Sequence, residues 1–115
     1  MLPLLEVAGQ VADLSTDRCR KAFMGAVALR RDGTLVRSRN GITIRPDGPI
    51  PSGHAEARVL RKSGYGATVY VARVKKDGSL AMAKPCSKCM AALRAMGVEM
   101  VYWTISNNDW EACKP

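Results

Sequence analysis

The chain has 115 residues, and its 18 Lys and Arg against 10 Asp and Glu give a net charge of +8 with the single histidine neutral. That length suits one domain, with about two thirds of the unfolded surface removable from water, and 47% hydrophobic residues exclude a disordered chain. No apolar run reaches the roughly 20 residues of a membrane span. The start, Met1-Leu2-Pro3-Leu4-Leu5-Glu6, lacks the basic and apolar regions of a secretory signal, so no membrane is expected as a partner.

In chain order, Leu4, Leu5, Val7, Ala8, Val11, Ala12 and Leu14 recur at helical spacing, and Pro3 fits the first turn. The run Phe23 to Leu29 and a second run from Leu35 flank Asp32-Gly33, which predicts a hairpin with strands at 23–30 and 34–39. Residues 40–53 hold three prolines and three glycines and read as one long loop, of the kind that carries function. His54 to Lys62 are good helix formers closed by Gly64.

Ala67 to Val74 reads as a buried strand, Lys75 to Ser79 as a turn, and Pro85 opens a helix over 86–96 that ends at Gly97. A last strand follows over 98–105, parallel to 67–74 by a right-handed crossover, and the ten residues from Ser106 to Pro115 read as a tail. The fold class is α/β, a mixed sheet of four to five strands with helices on both faces.

Four cysteines are too few for a disulfide scaffold, and Cys86 with Cys89 form a C-x-x-C pair that points to metal or redox chemistry in a reducing, cytoplasmic compartment. The spacing of three puts both sulfurs on one helical face near the positive end of the helix dipole. His54 starts the preceding helix, so one nitrogen and two sulfurs can converge at one sheet edge. Zinc accepts that set and keeps a fourth position open to water, whose pKa it lowers to about 7. Glu56, two residues from His54, can shuttle protons. A zinc site built from all four cysteines would leave His54 and Glu56 unexplained.

His54-Ala55-Glu56 followed by Pro85-Cys86-Ser87-Lys88-Cys89 resembles the H-A-E and P-C-x-x-C signature of the zinc-dependent cytidine and deoxycytidylate deaminase superfamily. Gly25-Ala26-Val27, Arg39-Asn40-Gly41 and the stretch from Ala91 to Tyr102 resemble further family segments. Histidine as first ligand resembles the deoxycytidylate, riboflavin-pathway, guanine and transfer-RNA adenosine deaminases more than the free cytidine deaminases, and the deoxycytidylate branch is the nearest resemblance.

The resemblance implies a three-layer α/β/α cytidine deaminase-like fold, Zn2+ on His54, Cys86 and Cys89, and Glu56 as proton shuttle. It also implies Asn40 and the backbone N–H of Ala55 as substrate contacts. The expected reaction is hydrolytic deamination of a cytosine nucleotide, dCMP-like, to the uracil nucleotide and ammonia. Arg37, Arg39 and Arg45 are candidate phosphate contacts. The alternative is a base deaminase acting on single-stranded DNA or tRNA, as the basic charge permits. A short tail would leave the pocket wall to a second subunit, so a homo-oligomer is expected.

Overall fold

A computed structural model describes residues 2–13, 22–39, 42–45, 48–51, 64–75 and 78–115. Helix α1 covers Pro3–Asp13, with Pro3 in the first turn and Leu5 and Ala8 fully buried. Strands β1 (Ala22–Leu29) and β2 (Leu35–Arg39) form the expected antiparallel hairpin. Its turn is built as the sequence suggests. Asp32 Oδ1 accepts hydrogen bonds from the Thr34 amide at 3.0 Å and the Thr34 hydroxyl at 2.6 Å, and Gly33 supplies the positive φ of 89°.

The stretch read as a long loop contains structure. Strands β3 (Ile42–Arg45) and β4 (Gly48–Pro51) pair antiparallel as a separate two-stranded ribbon. Three prolines masked this hairpin, since proline usually argues against a strand. Pro49 and Pro51 are two apart, so their missing N–H groups fall on one edge of the ribbon, where no ladder bond is lost. The helix expected from His54 lies outside the described residues.

Strand β5 (Thr68–Lys75) is the centre of the main sheet. The two-residue strand β6 (Leu80–Ala81) folds back on its end, helix α2 covers Ser87–Ala95, and β7 (Met100–Thr104) returns parallel to β5. The supposed tail also forms a strand. Residues Trp110–Cys113 make β8, antiparallel to β7 across a turn in which the Ser106 hydroxyl bonds the Asp109 carboxylate at 3.2 Å. Ser-Asn-Asn-Asp breaks β7 as expected, but it does so as a hairpin turn. The sheet therefore has six strands, along the path β2-β1-β5-β7-β8 with β6 on β5.

Strand parity assigns the two faces. Ala26, Ala28, Val69, Val71, Val101 and Trp103 pack under Leu93 of α2, while Val27 and Ala72 pack under Ala8 of α1. Because β1 and β5 are covered on both sides, their apolar runs are nearly continuous instead of alternating. On the α1 face, Tyr70 stacks on Tyr102 with ring centroids 4.8 Å apart, and Trp110 of β8 leans on Tyr102 at 5.8 Å. Those contacts fasten β8 to the sheet.

Candidate active site

The approach to α2 is tied down before the helix begins. Thr104, fully buried at the end of β7, donates its hydroxyl to the Ala81 carbonyl at 2.8 Å and accepts from the Arg73 amide at 3.3 Å. Its own carbonyl accepts from the Ala83 amide at 2.9 Å. One residue thus joins β5, β6, β7 and the loop that leads to Cys86. Asn107 adds a second tie, its side-chain oxygen accepting from the Leu80 amide at 2.7 Å. No periodicity or motif marks Thr104 or Asn107, because their partners are backbone groups distant in sequence.

After Ala83 and Pro85, both buried, Cys86 is exposed and takes the N-cap position of α2 with an extended backbone, φ −68° and ψ 169°. Its carbonyl accepts the first helical bond, from the Met90 amide at 2.9 Å. Cysteine is not a favoured capping residue, and the cap is made without a side-chain hydrogen bond to the helix. Cys89 follows at the third helical position and is buried. N-cap and third position are the pair that meet in a capping box, so the structure brings the two sulfur-bearing residues to one corner of the first turn. That turn holds no acidic residue, and its N–H groups form the positive end of the helix dipole.

Two thiolates at a positive helix end are a donor set suited to zinc, and they fit the metal half of the expected site. His54, Ala55, Glu56 and Asn40 lie outside the described residues. Among the described residues, no group of three or more His, Cys, Asp or Glu could hold a metal ion. Cys113 sits opposite Val101 on β8, against the core, whereas the loop to Cys86 is anchored at Thr104. Among the described residues, no three-ligand group joins Cys113 to the C-x-x-C pair.

Behind the pair, Leu93, Met90 and Trp103 close the space between α2 and the sheet. The Trp103 indole N–H is buried and has no hydrogen-bond partner among the described residues, and Lys84 Nζ lies 5.8 Å from the centre of the Trp103 ring. The register pairs Arg37 with Val27, which places it on the α1 face of the sheet, away from α2. That position does not suit a phosphate contact beside Cys86. Arg39 and Arg45 lie on β2 and β3.

A C-x-x-C pair opening a crossover helix is one half of the signature of the zinc-dependent nucleobase deaminases. Residues 3–105 match the family model described as the cytidine and deoxycytidylate deaminase zinc-binding region, and the chain belongs to that family. It is accordingly a deaminating hydrolase with Zn2+ as its cofactor.

Solved structures agree in fold. The chain is similar to cytidine deaminase from Burkholderia pseudomallei, with a TM-score of 0.70 at 15% identity over 99% of this chain and 93% of that one. It is also similar to cytidine deaminase from Mycobacterium leprae, with a TM-score of 0.60 at 18% identity over 95% and 89% of the two chains. Cytidine deaminase from Mycobacterium tuberculosis gives a TM-score of 0.57 at 26% identity over 88% and 80%. No curated protein matches the chain. No helix among the described residues is long and apolar enough to cross a membrane.

Proposed function

We propose that the chain deaminates a free cytosine nucleotide, dCMP-like, with His54, Cys86 and Cys89 as the zinc ligands and Glu56 as the proton shuttle. The observation that carries this reading is the placement of Cys86 and Cys89 at the N-cap and third position of α2, in a chain that also holds His54-Ala55-Glu56. The two cysteines need a third ligand from beyond the described residues, and His54 is the only histidine in the chain.

When bound, Zn2+ makes hydroxide available from water at neutral pH. The rest falls to the chain. Glu56 takes the proton from the incoming water, delivers it to the ring nitrogen next to C4, and then carries a proton to the departing amine. Water and the amino-bearing C4 thereby become a C4 carbonyl and ammonia. Asn40 holds the sugar or base, and the Ala55 N–H faces the base.

The nucleotide preference rests on the net charge of +8, which suits an anionic substrate. The similar solved structures are cytidine deaminases, so unphosphorylated cytidine is the competing substrate. A homo-oligomer, and a reducing cytoplasmic compartment that keeps both thiols available, accompany this reading.

The test is ammonia release by zinc-loaded protein from cytidine, deoxycytidine, dCMP and a cytosine-containing oligonucleotide. A higher kcat/KM for dCMP than for deoxycytidine is expected. The reverse order makes the chain a nucleoside deaminase, preferred conversion in the oligonucleotide or in tRNA makes it a nucleic-acid base deaminase, and no turnover of any cytosine compound overturns the reading.

A further inference from the structure

A second feature lies at the opposite end of α2. The helix is nine residues long, about 13 Å, and its C-terminal end closes with paired bonds from the Gly97 amide to the Arg94 carbonyl at 3.0 Å and from the Val98 amide to the Leu93 carbonyl at 3.1 Å. The segment Gly64 to Ala67 is laced to this end. The Gly66 amide donates to the Met96 carbonyl at 3.2 Å, and the Glu99 amide donates to the Ala67 carbonyl at 2.9 Å.

Two glycines in the left-handed region form the floor. A Cβ on Gly97 (φ 64°) would overlap the Tyr65 ring, and a Cβ on Gly66 (φ 80°) would overlap the Arg31 guanidinium. The ring and the guanidinium therefore lie directly on backbone. Tyr65 is nonetheless 67% exposed. An aromatic ring held on one side and open on the other has the form of a stacking platform.

Cations flank that ring on both sides. One side is a cleft of about 500 Å³ to which Arg94 and Lys114 contribute, with Glu99. The other is a recess of about 190 Å³ lined by Arg30, Arg31 and Asp32. Arg30, Arg31, Arg94 and Lys114 outnumber the two acidic side chains around the ring, Asp32 and Glu99, so the surface keeps a net positive charge. Asp32 accepts from the Thr34 hydroxyl and amide, and the Arg31 to Glu99 pair is 3.9 Å apart with both side chains more than 60% exposed, where solvent screens it.

We propose that this surface binds single-stranded nucleic acid, with a base stacked on Tyr65 and the phosphates on either side held by Arg30 and Arg31 and by Arg94 and Lys114. A positively charged track combined with an aromatic stacking face is the chemistry by which unpaired strands are bound without sequence preference. Clefts on both sides of one ring fit a continuing chain better than a single nucleotide, which has only one phosphate position next to its base. The surface lies at the far end of α2 from Cys86 and does not depend on the metal-site reading.

Fluorescence anisotropy with a labelled thymidine-only strand of about 15 nucleotides tests this. Thymine has no amine to lose, so failure of the deaminase reading leaves the experiment intact. Salt-sensitive binding is expected. Tyr65→Ala should weaken it about fivefold to a hundredfold, and Tyr65→Phe should retain it. Arg94→Ala and Lys114→Ala together should reduce the slope of log affinity against log salt by about 1.4.

Lys75→Ala, an equal loss of one charge at the other end of β5, should leave the affinity within about twofold of wild type. The proposal is overturned by any one of four results. These are no binding at low salt, full affinity in Tyr65→Ala, equal weakening by Lys75→Ala and Arg94→Ala, or displacement of the strand by thymidine monophosphate at equal phosphate concentration.

Discussion

The Thr104 hydroxyl donates a 2.8 Å hydrogen bond to the carbonyl of Ala81, across 23 residues of sequence, and so fixes the segment that delivers Cys86 to the start of α2. The same oxygen accepts from the Arg73 amide. A side chain with no exposed surface thereby satisfies two backbone groups in the sheet interior.

Thr104→Val keeps the shape and removes both bonds. The loss should be about 1 to 3 kcal/mol, the cost of leaving buried backbone groups unsatisfied, and should appear as a lower denaturation midpoint with an unchanged slope. Thr104→Ser, which keeps the hydroxyl, should recover more than half of it. Equal midpoints for the valine and serine variants would show that the hydroxyl is not what matters.

Zinc content and turnover should separate at Glu56. Glu56→Ala is expected to hold about one zinc per chain and to lose turnover, whereas His54→Ala and Cys89→Ala should lose the metal itself. Metal analysis after dialysis, together with ammonia release, checks both. Stripping wild type with a chelator should also lower its melting temperature, because a ligand bound only by the folded state stabilises it. Wild-type activity in Glu56→Ala would remove that residue from the mechanism.

Gly97 and Gly33 both have positive φ, but only Gly97 has a ring where its Cβ would lie. Gly33→Ala should cost about 1 to 2 kcal/mol for the left-handed backbone alone. Gly97→Ala should cost more in wild type and fall to the Gly33→Ala value in a Tyr65→Ala background. A thermal-melt double-mutant cycle measures the difference, and a coupling near zero would mean that the ring moves aside freely.

The Asp32 carboxyl is held below its ordinary value of 3.8, first by the Thr34 hydroxyl and then by the Thr34 amide. A depressed carboxyl stabilises the folded state above its unfolded pKa, and the contribution disappears as pH falls through the folded value. Asp32→Ala should therefore melt below wild type at about pH 6 and converge with it once the pH has fallen through the folded value, which lies below 3.8. A gap that persists in acid would assign the effect to turn geometry.

The hairpin of β1 and β2, the buried strand β5, and the helix between Pro85 and Gly97 could all be read from local pattern. Asp32-Gly33, the β-branched run and the proline and glycine punctuation each act within a few residues. The ribbon of β3 and β4 was hidden because its prolines occupy one parity of an edge, an exception that becomes visible only once the pairing is known. Strand β8 is hidden for a related reason. Trp110 to Cys113 is short and alternates weakly, and it is held by the stack of Trp110 on Tyr102 and by pairing with β7. Within the site, Cys86 and Cys89 announced themselves by spacing, but Thr104 could not, since its value lies in partners 23 and 31 residues away. Tyr65 lies between the helix expected to close at Gly64 and the strand expected from Ala67, where no local pattern marks it, and its place on Gly97 depends on a glycine 32 residues away.

The six-stranded sheet ends on β2 at one side and β8 at the other, and each of these strands carries an exposed apolar residue, Leu35 and Trp110, together with an exposed charge. Arg37 stands out on the first and Glu111 on the second, both exposed. Ionic side chains on the outermost strands discourage a neighbouring molecule from adding its own strand to the ladder. Those two charges thus weigh against strand addition at edges that Leu35 and Trp110 leave partly apolar.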